Sequence, residues 1–146
     1  MGQFSAGFRA TAAASATLPA GSLYAPAGSR LLLKEVHVYN TTATALMVAL
    51  RAFTATGTQG AGITEIEWDN EGPTPTGTVF DSHSVTPTIT AGEYARASLG
   101  AQIGAGVVWV FSGRGLFIPA GTGNGIGVLT PDGTGQVCDL TFVWDE

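Results

Sequence analysis

Gly115 to Glu146 reads G-L-F-I-P-A-G-T-G-N-G-I-G-V-L-T-P-D-G-T-G-Q-V-C-D-L-T-F-V-W-D-E, and its pattern decides the fold class. Three apolar runs, Leu116–Ile118, Ile126–Leu129 and Val137–Trp144, are separated by the turn clusters Pro119–Gly125 and Pro131–Gly135. Glycine supplies positive φ, proline a fixed φ, and Asn and Asp side chains bond nearby backbone. Apolar runs between such clusters predict a three-stranded antiparallel meander. The last run alternates: Cys138, Leu140, Phe142 and Trp144 share one face, and Val137, Asp139, Thr141, Val143 and Asp145 the other. A period of two marks a half-buried strand. An aromatic face of this kind needs a second sheet to pack on.

Upstream, Val107–Phe111 (V-V-W-V-F) is the run richest in strand formers. Arg30–Asn40 sets Val36 and Val38 on one face and His37 and Tyr39 on the other. Its Leu31-Leu32-Leu33 marks a bulge or a strand buried on both faces. Thr44–Thr54 sets Leu46, Val48 and Leu50 against Ala45, Met47, Ala49, Arg51 and Phe53. With Asn40–Ala43 as the turn, these two segments read as a long hairpin. A helix over Ala43–Phe53 is the competing reading, since Ala, Leu and Met favour helices. Ile63–Asp69 alternates again, with Thr64, Ile66 and Trp68 expected inward and Glu65, Glu67 and Asp69 outward. Val79-Phe80 reads as a short strand, and Gly92–Gly106 as mostly irregular.

Eight to ten short strands with regular turn signals predict an all-β fold, an antiparallel β-sandwich. A jelly-roll-like arrangement is preferred, with an immunoglobulin-like one second. Trp68, Phe80, Trp109, Phe142 and Trp144 are the core candidates. Residues 19–146 are expected to form a single sandwich domain. Residues 1–18 are Ala/Ser/Thr-rich and show no sustained period. They read as a short strand around Phe4–Thr11, as an extended N-terminal arm laid on a neighbouring subunit with Phe4 and Phe8 as anchors beside Arg9, or as a frayed terminus.

Composition narrows the function classes. Charged residues make up 12% of the 146, about half the usual share, so the surface is either bland or covered by partners. The net charge of −5 argues against direct nucleic-acid binding, which needs a basic stripe. No apolar run approaches the roughly 18 residues of a membrane span. The N-terminus lacks the charged head and apolar core of a secretory signal. The single cysteine, Cys138, excludes an internal disulfide framework and reads as a small core residue.

The motifs carry little chemistry. Gly121-Thr122-Gly123-Asn124-Gly125 feeds a strand rather than the helix a phosphate loop requires, so it reads as a tight turn. Asp81-Ser82-His83-Ser84 holds the residue types of a hydrolase triad, but such triads are assembled from separate positions. Two histidines, His37 and His83, are too few for a histidine-rich metal centre. No catalytic, cofactor or metal residue is assigned. The acidic row Glu65, Glu67, Asp69 and Glu71 lacks calcium-loop spacing. It reads as a solvated face or as a surface that meets Arg or Lys of a partner. Glu65, Glu67 and Asp69 therefore join Phe4, Phe8 and Arg9 as interface candidates.

Three stretches carry a family resemblance: L-K-E-V-H-V-Y-N-T-T at 33–42, I-P-A-G-T-G-N-G-I-G at 118–127, and the ending Val143-Trp144-Asp145-Glu146. They resemble small virion proteins of tailed double-stranded-DNA phages, over most of the chain past Ala16. The resemblance implies a capsid decoration, or cement, protein. Such proteins sit on the outer capsid surface, often as homotrimers, and brace the major capsid protein lattice against packaged DNA. Small β-rich proteins of this kind also occur in tails and fibres, so a receptor- or carbohydrate-binding module is the alternative. An aromatic platform of Tyr39, Trp109 or Trp144 on an outer face would favour that alternative. The shared motifs are strand-and-turn patterns, and no family binding residue is carried over from them.

Overall fold

The structure is a computed structural model that describes residues 1–69 and 71–146. The described residues contain no helix. They form the strands β1 (Gln3–Arg9), β2 (Gly21–Tyr24), β3 (Leu31–Asn40), β4 (Leu46–Ala55), β5 (Gly62–Ile63), β6 (Ile66–Glu67), β7 (Thr78–Asp81), β8 (Thr88–Ile89), β9 (Ala95–Leu99), β10 (Gly106–Val110), β11 (Leu116–Ile118), β12 (Gly125–Leu129) and β13 (Cys138–Asp145). The first sheet runs β10-β3-β13-β1-β6, with β11 beside β10 on the same edge of β3. The second runs β5-β7-β2-β12-β4-β8, with β9 also on β4. The two sheets pack face to face as a β-sandwich.

Among the described residues every strand pairing is antiparallel, and none joins strands consecutive along the chain. The expected C-terminal meander is therefore absent: β11 pairs with β3, β12 with β2 and β4, and β13 with β1 and β3. The expected β3–β4 hairpin is absent too, because β13 fills one edge of β3 and β10 and β11 fill the other. Alternation says which face of a strand is buried, not which strand lies beside it. Asn40 builds the corner that carries the chain across. Its buried side-chain amide donates to the carbonyls of Thr44 (2.7 Å) and Gly100 (3.2 Å), and its oxygen accepts the Thr42 N–H (3.0 Å).

The faces of the long strands are largely as expected. Cys138, Leu140, Phe142 and Trp144 point into the core, as do Leu46, Val48 and Leu50 of β4, which is a strand and not a helix. Leu31 and Leu33 are buried while Leu32 is not, so that run alternates regularly. The irregularity comes later: pairing steps from Val143↔Glu35 to Trp144↔Leu33 and skips Lys34. Gly92–Gly106 is more ordered than expected, since it contains β9 and begins β10. Its inward residues, Ala95, Ala97 and Leu99, include two alanines that hide the period.

The N-terminal arm and the domain boundary at Leu18 need correction. β1 pairs with β13 over seven positions, from Gln3↔Asp145 to Arg9↔Asp139, and with β6 on its other side. Phe4 and Ala6 are buried, and Phe8 packs partly against the same core. Residues 10–18 then cross the end of the sandwich, held by the Thr11 N–H on Asp81 Oδ1 (3.0 Å) and the Ala12 N–H on Ser82 Oγ (3.1 Å). The period of two was present, Phe4-Ala6-Phe8-Ala10, but alanine carries a weak apolar signal.

A second apolar layer covers the outer face of the second sheet. Tyr24, Phe53 and Leu129 form it, with Phe80 and Ile89 against them. Gly127 makes room: a Cβ there would lie 2.6 Å from the Phe53 ring and 2.7 Å from the Gly21 carbonyl oxygen.

Ile63–Asp69 is a further correction. It is not one strand: β5 belongs to the second sheet and β6 to the first, so the chain crosses the sandwich edge between them. The crossing reverses the expected faces. Trp68 is 59% exposed and Ile66 57%, while Glu65 turns in to accept the Val79 N–H (3.0 Å). Of the five core candidates, Phe142 and Trp144 are buried, Phe80 and Trp109 are half-buried, and Trp68 lies outside.

Candidate functional site

The six interface candidates fall into separate settings. Phe4 lies in the core with its ring centroid 5.9 Å from that of Trp144, so it anchors the first sheet and not a neighbour. Phe8 fills the space left by Gly21. Arg9 forms an exposed two-pronged pair with Asp139, its cross-strand partner, at 2.7 and 3.0 Å. Glu65 is spent on the β7 backbone. Glu67 pairs through its backbone with Phe4, and Asp69 is exposed. The row is therefore split: Glu65 turns toward the second sheet, one Glu67 oxygen is buried, and Asp69 and Glu71 are exposed after β6, the edge strand beyond β1.

Asp81-Ser82-His83-Ser84 does not act as a sequential triad, yet the fold brings His83 to a serine elsewhere. Ser22 Oγ and His83 Nε2 are 2.7 Å apart, both buried, under the rings of Tyr24 and Phe53. A nucleophile–base contact of this length is necessary for acyl transfer but not sufficient. Asp81 does not orient the imidazole: its carboxylate accepts the N–H groups of Thr11 and Ser82 and the Ser82 hydroxyl. Burial pushes that carboxyl up, but the Ser82 and Thr11 amides outweigh it and hold the group below the usual range. Burial also holds the His83 imidazole below its ordinary value. Neither Ser22 nor His83 lines any of five well-formed clefts among the described residues, and both are buried. The pair is a buried polar tie between β2 and the segment after β7.

Cys138 is likewise structural. Burial, with the nearby Asp139 carboxylate, pushes its thiol up to about 11, so it stays protonated at neutral pH. No three His, Cys, Asp or Glu side chains converge as a metal site among the described residues.

The most distinctive concavity is a cleft of about 680 Å³ at the β11 edge of the first sheet. Arg30, Lys34 and Arg114 line it with Leu32, Phe117 and Asp145. Half of the chain's six Lys and Arg residues gather here. Lys34 Nζ is 3.2 Å from Asp145 Oδ2 and donates to the Gly113 carbonyl at 3.2 Å. The Arg30 guanidinium lies 5.7 Å from the centroid of the Phe117 ring, which is itself 51% exposed. Neither Arg30 nor Arg114 makes an ion pair among the described residues. Three cations and one carboxylate leave the lining with a net charge of plus two. The positive φ of Gly113 and Gly115, 65° and 85°, turns Arg114 outward on a tight loop that other residues adopt only under strain. Nothing in Ser112–Gly115 alone predicts the cleft, because Arg30 reaches it only through the β11–β3 pairing.

At the opposite edge, β6 and the residues after it present Ile66, Trp68, Asp69 and Glu71. The Trp68 indole N–H donates to Ser5 Oγ at 2.9 Å, and the Trp68 backbone N–H to the Gln3 carbonyl at 3.0 Å. These bonds seat the indole on the outer face of the first sheet. Glu65, Glu67, Asp69 and Glu71 form no ion pair among the described residues.

Compared with family models, curated proteins and solved structures, the chain matches none.

Proposed function

We propose that this chain is a virion structural protein of a tailed phage, a capsid decoration protein that binds the major capsid protein on the outer surface of the head as a homotrimer. The observation that carries the reading is the order in which the chain visits its sheets. Among the eight strands β1, β2, β3, β4, β9, β10, β12 and β13, the first sheet reads β10-β3-β13-β1 and the second β9-β4-β12-β2. This order supports the reading of two interlocked Greek keys, a jelly roll, an architecture used by viral capsid domains. Fold alone does not name a function. The phage setting comes from the resemblance at 33–42, on β3, and at 118–127, which joins β11 to β12. The low charge fraction fits a chain that buries surface against partners.

The test is direct. The purified protein is added to heads that lack it, and bound copies are located by electron cryomicroscopy. Regular density at symmetry-related sites on the head, with raised thermal stability of the packaged particle, supports the reading. Absence from heads and presence on tails overturns it.

The alternative, a receptor- or carbohydrate-binding module, has one observation in its favour. Trp68 and Tyr39 are exposed aromatics on the first sheet's side, and stacking on sugars uses such rings. Trp144 is buried and Trp109 half-buried, so the platform expected from Tyr39, Trp109 and Trp144 is not assembled. Quenching of tryptophan fluorescence by a glycan panel tests this second reading.

A further inference from the structure

We infer that copies of this chain associate head to tail, the acidic Trp68 edge of one copy seating in the Arg30–Arg114 cleft of the next. This inference rests on the homo-oligomeric part of the proposed function and not on capsid binding.

The two patches are complementary in charge and chemistry. One side offers Asp69 and Glu71 beside the exposed Ile66 and Trp68. The other offers Arg30 and Arg114, free of ion pairs among the described residues, around the exposed Phe117 and the half-buried Leu32. Arginine beside an apolar floor suits this partner, since its planar head both pairs with carboxylates and stacks on rings.

Register places the patches at the two ends of one row. Phe117 pairs with Leu32, Leu32 with Asp145, and Asp145 with Gln3, whose carbonyl accepts the Trp68 N–H. The row crosses β11, β3, β13 and β1 to the strand beyond, four steps of about 4.8 Å, or about 19 Å. The patches therefore cannot meet within one chain. Both lie on the outer face of the first sheet, at opposite ends of this row, and each is placed to meet the other patch of a different copy, which is a heterologous contact. When the rotation between neighbours closes, such contacts build a ring; a trimer is the smallest ring in which each copy uses its two edges on different neighbours.

The cleft's own carboxylate, Asp145, is already engaged by Lys34, so it leaves the two arginines to an incoming acid. The edge strands add a second fit. β6 pairs on one side only and β11 likewise, so each carries unpaired backbone groups toward the neighbour.

The experiment uses the full chain in isolation, by sedimentation velocity over a concentration series at low and high salt. Wild type should sediment as a closed oligomer that salt weakens. Arg30→Glu with Arg114→Glu should raise the dissociation constant on the order of thirtyfold or more, the size of a hot-spot loss. Asp69→Lys with Glu71→Lys should do the same. All four substitutions together restore opposite charges and should restore association. Trp68→Ser reports the apolar half of the contact and should also dissociate the oligomer. Thermal melts of every variant establish that the monomer stays folded. A wild type that remains monomeric at millimolar concentration overturns the inference, as does a fourfold variant that stays dissociated while folded. Capsid binding is read separately: a chain that forms the ring but ignores heads refutes the proposed function alone.

Discussion

Replacing Phe4 with alanine separates a strand built into the sandwich from a segment lying on its surface. Phe4 is fully buried, faces Trp144 at a ring distance of 5.9 Å, and lies on a strand held on both sides. Removing a buried phenylalanine side chain costs about 3–5 kcal/mol, the transfer term plus the cavity left behind. Unfolding entropy near the midpoint is about 2.1 cal/mol/K per residue, or about 0.3 kcal/mol/K for 146 residues. The melting temperature should therefore fall by about 10–16 °C. Differential scanning calorimetry measures it, and circular dichroism checks that the sheet content survives. Arg9→Ala is the internal control, because its pair with Asp139 is exposed and should leave the transition almost unmoved. Deleting residues 1–18 should prevent folding, since it strips β13 of a seven-residue partner. A Phe4→Ala protein that melts within a degree or two of wild type would refute this placement of β1.

Three further outcomes follow from the interior. His83 is held below its ordinary pKa by burial, so the unfolded chain takes the proton first. Its contribution to stability is fully present above about pH 6.5 and is lost as pH falls, by at most about 1.4 kcal/mol per pH unit. Denaturant midpoints taken across that window should show a steeper acid loss in wild type than in His83→Gln; equal slopes would remove His83 from the account. Cys138, with its thiol pushed up to about 11, should react with a thiol reagent only at the rate of unfolding, and fast stoichiometric labelling of native protein would contradict its burial. Gly127→Ala drives a Cβ into the Phe53 ring and the Gly21 carbonyl and should cost about 1–3 kcal/mol by chemical denaturation, whereas Gly28→Ala, with nothing near its Cβ, should be neutral.

The sequence reveals faces far better than neighbours. Phe142 and Trp144 alternate with polar residues, and both lie where their period puts them. Leu46, Val48 and Leu50 overrode the helix propensity of Ala43–Phe53, because the inner face of a sheet had to be filled. Where inward positions carry alanine the same period is faint: Phe4-Ala6-Phe8-Ala10 reads as a strand or an arm alike, and Ala95-Ala97-Leu99 reads as irregular. Strand pairing was legible nowhere, since a five-residue link such as residues 41–45 has the length of a hairpin loop as much as of a corner between sheets. What distinguishes the corner is the Asn40 side chain, which satisfies three backbone groups at once, and that role appears only in three dimensions.

The same limit explains why the acidic row was visible in the sequence and its basic counterpart was not. Glu65, Glu67, Asp69 and Glu71 are neighbours along the chain, whereas Arg30 and Arg114 are brought together only when β11 lies on β3. Trp68 was misassigned for a related reason. A period of two assumes that one strand stays in one sheet, and residues 62–67 change sheets midway, at the point where Glu65 reaches the Val79 N–H. The change of sheet turns an indole meant for the core onto an outer edge, within an acidic loop. Leaving a tryptophan there costs the hydrophobic stabilisation its burial would give, about 1.5–3 kcal/mol for a large apolar side chain. An exposed tryptophan beside carboxylates, at the opposite end of a row from an exposed phenylalanine beside arginines, none of them ion-paired among the described residues, recovers that term by meeting another molecule. In the proposed association a second copy of the chain supplies both halves.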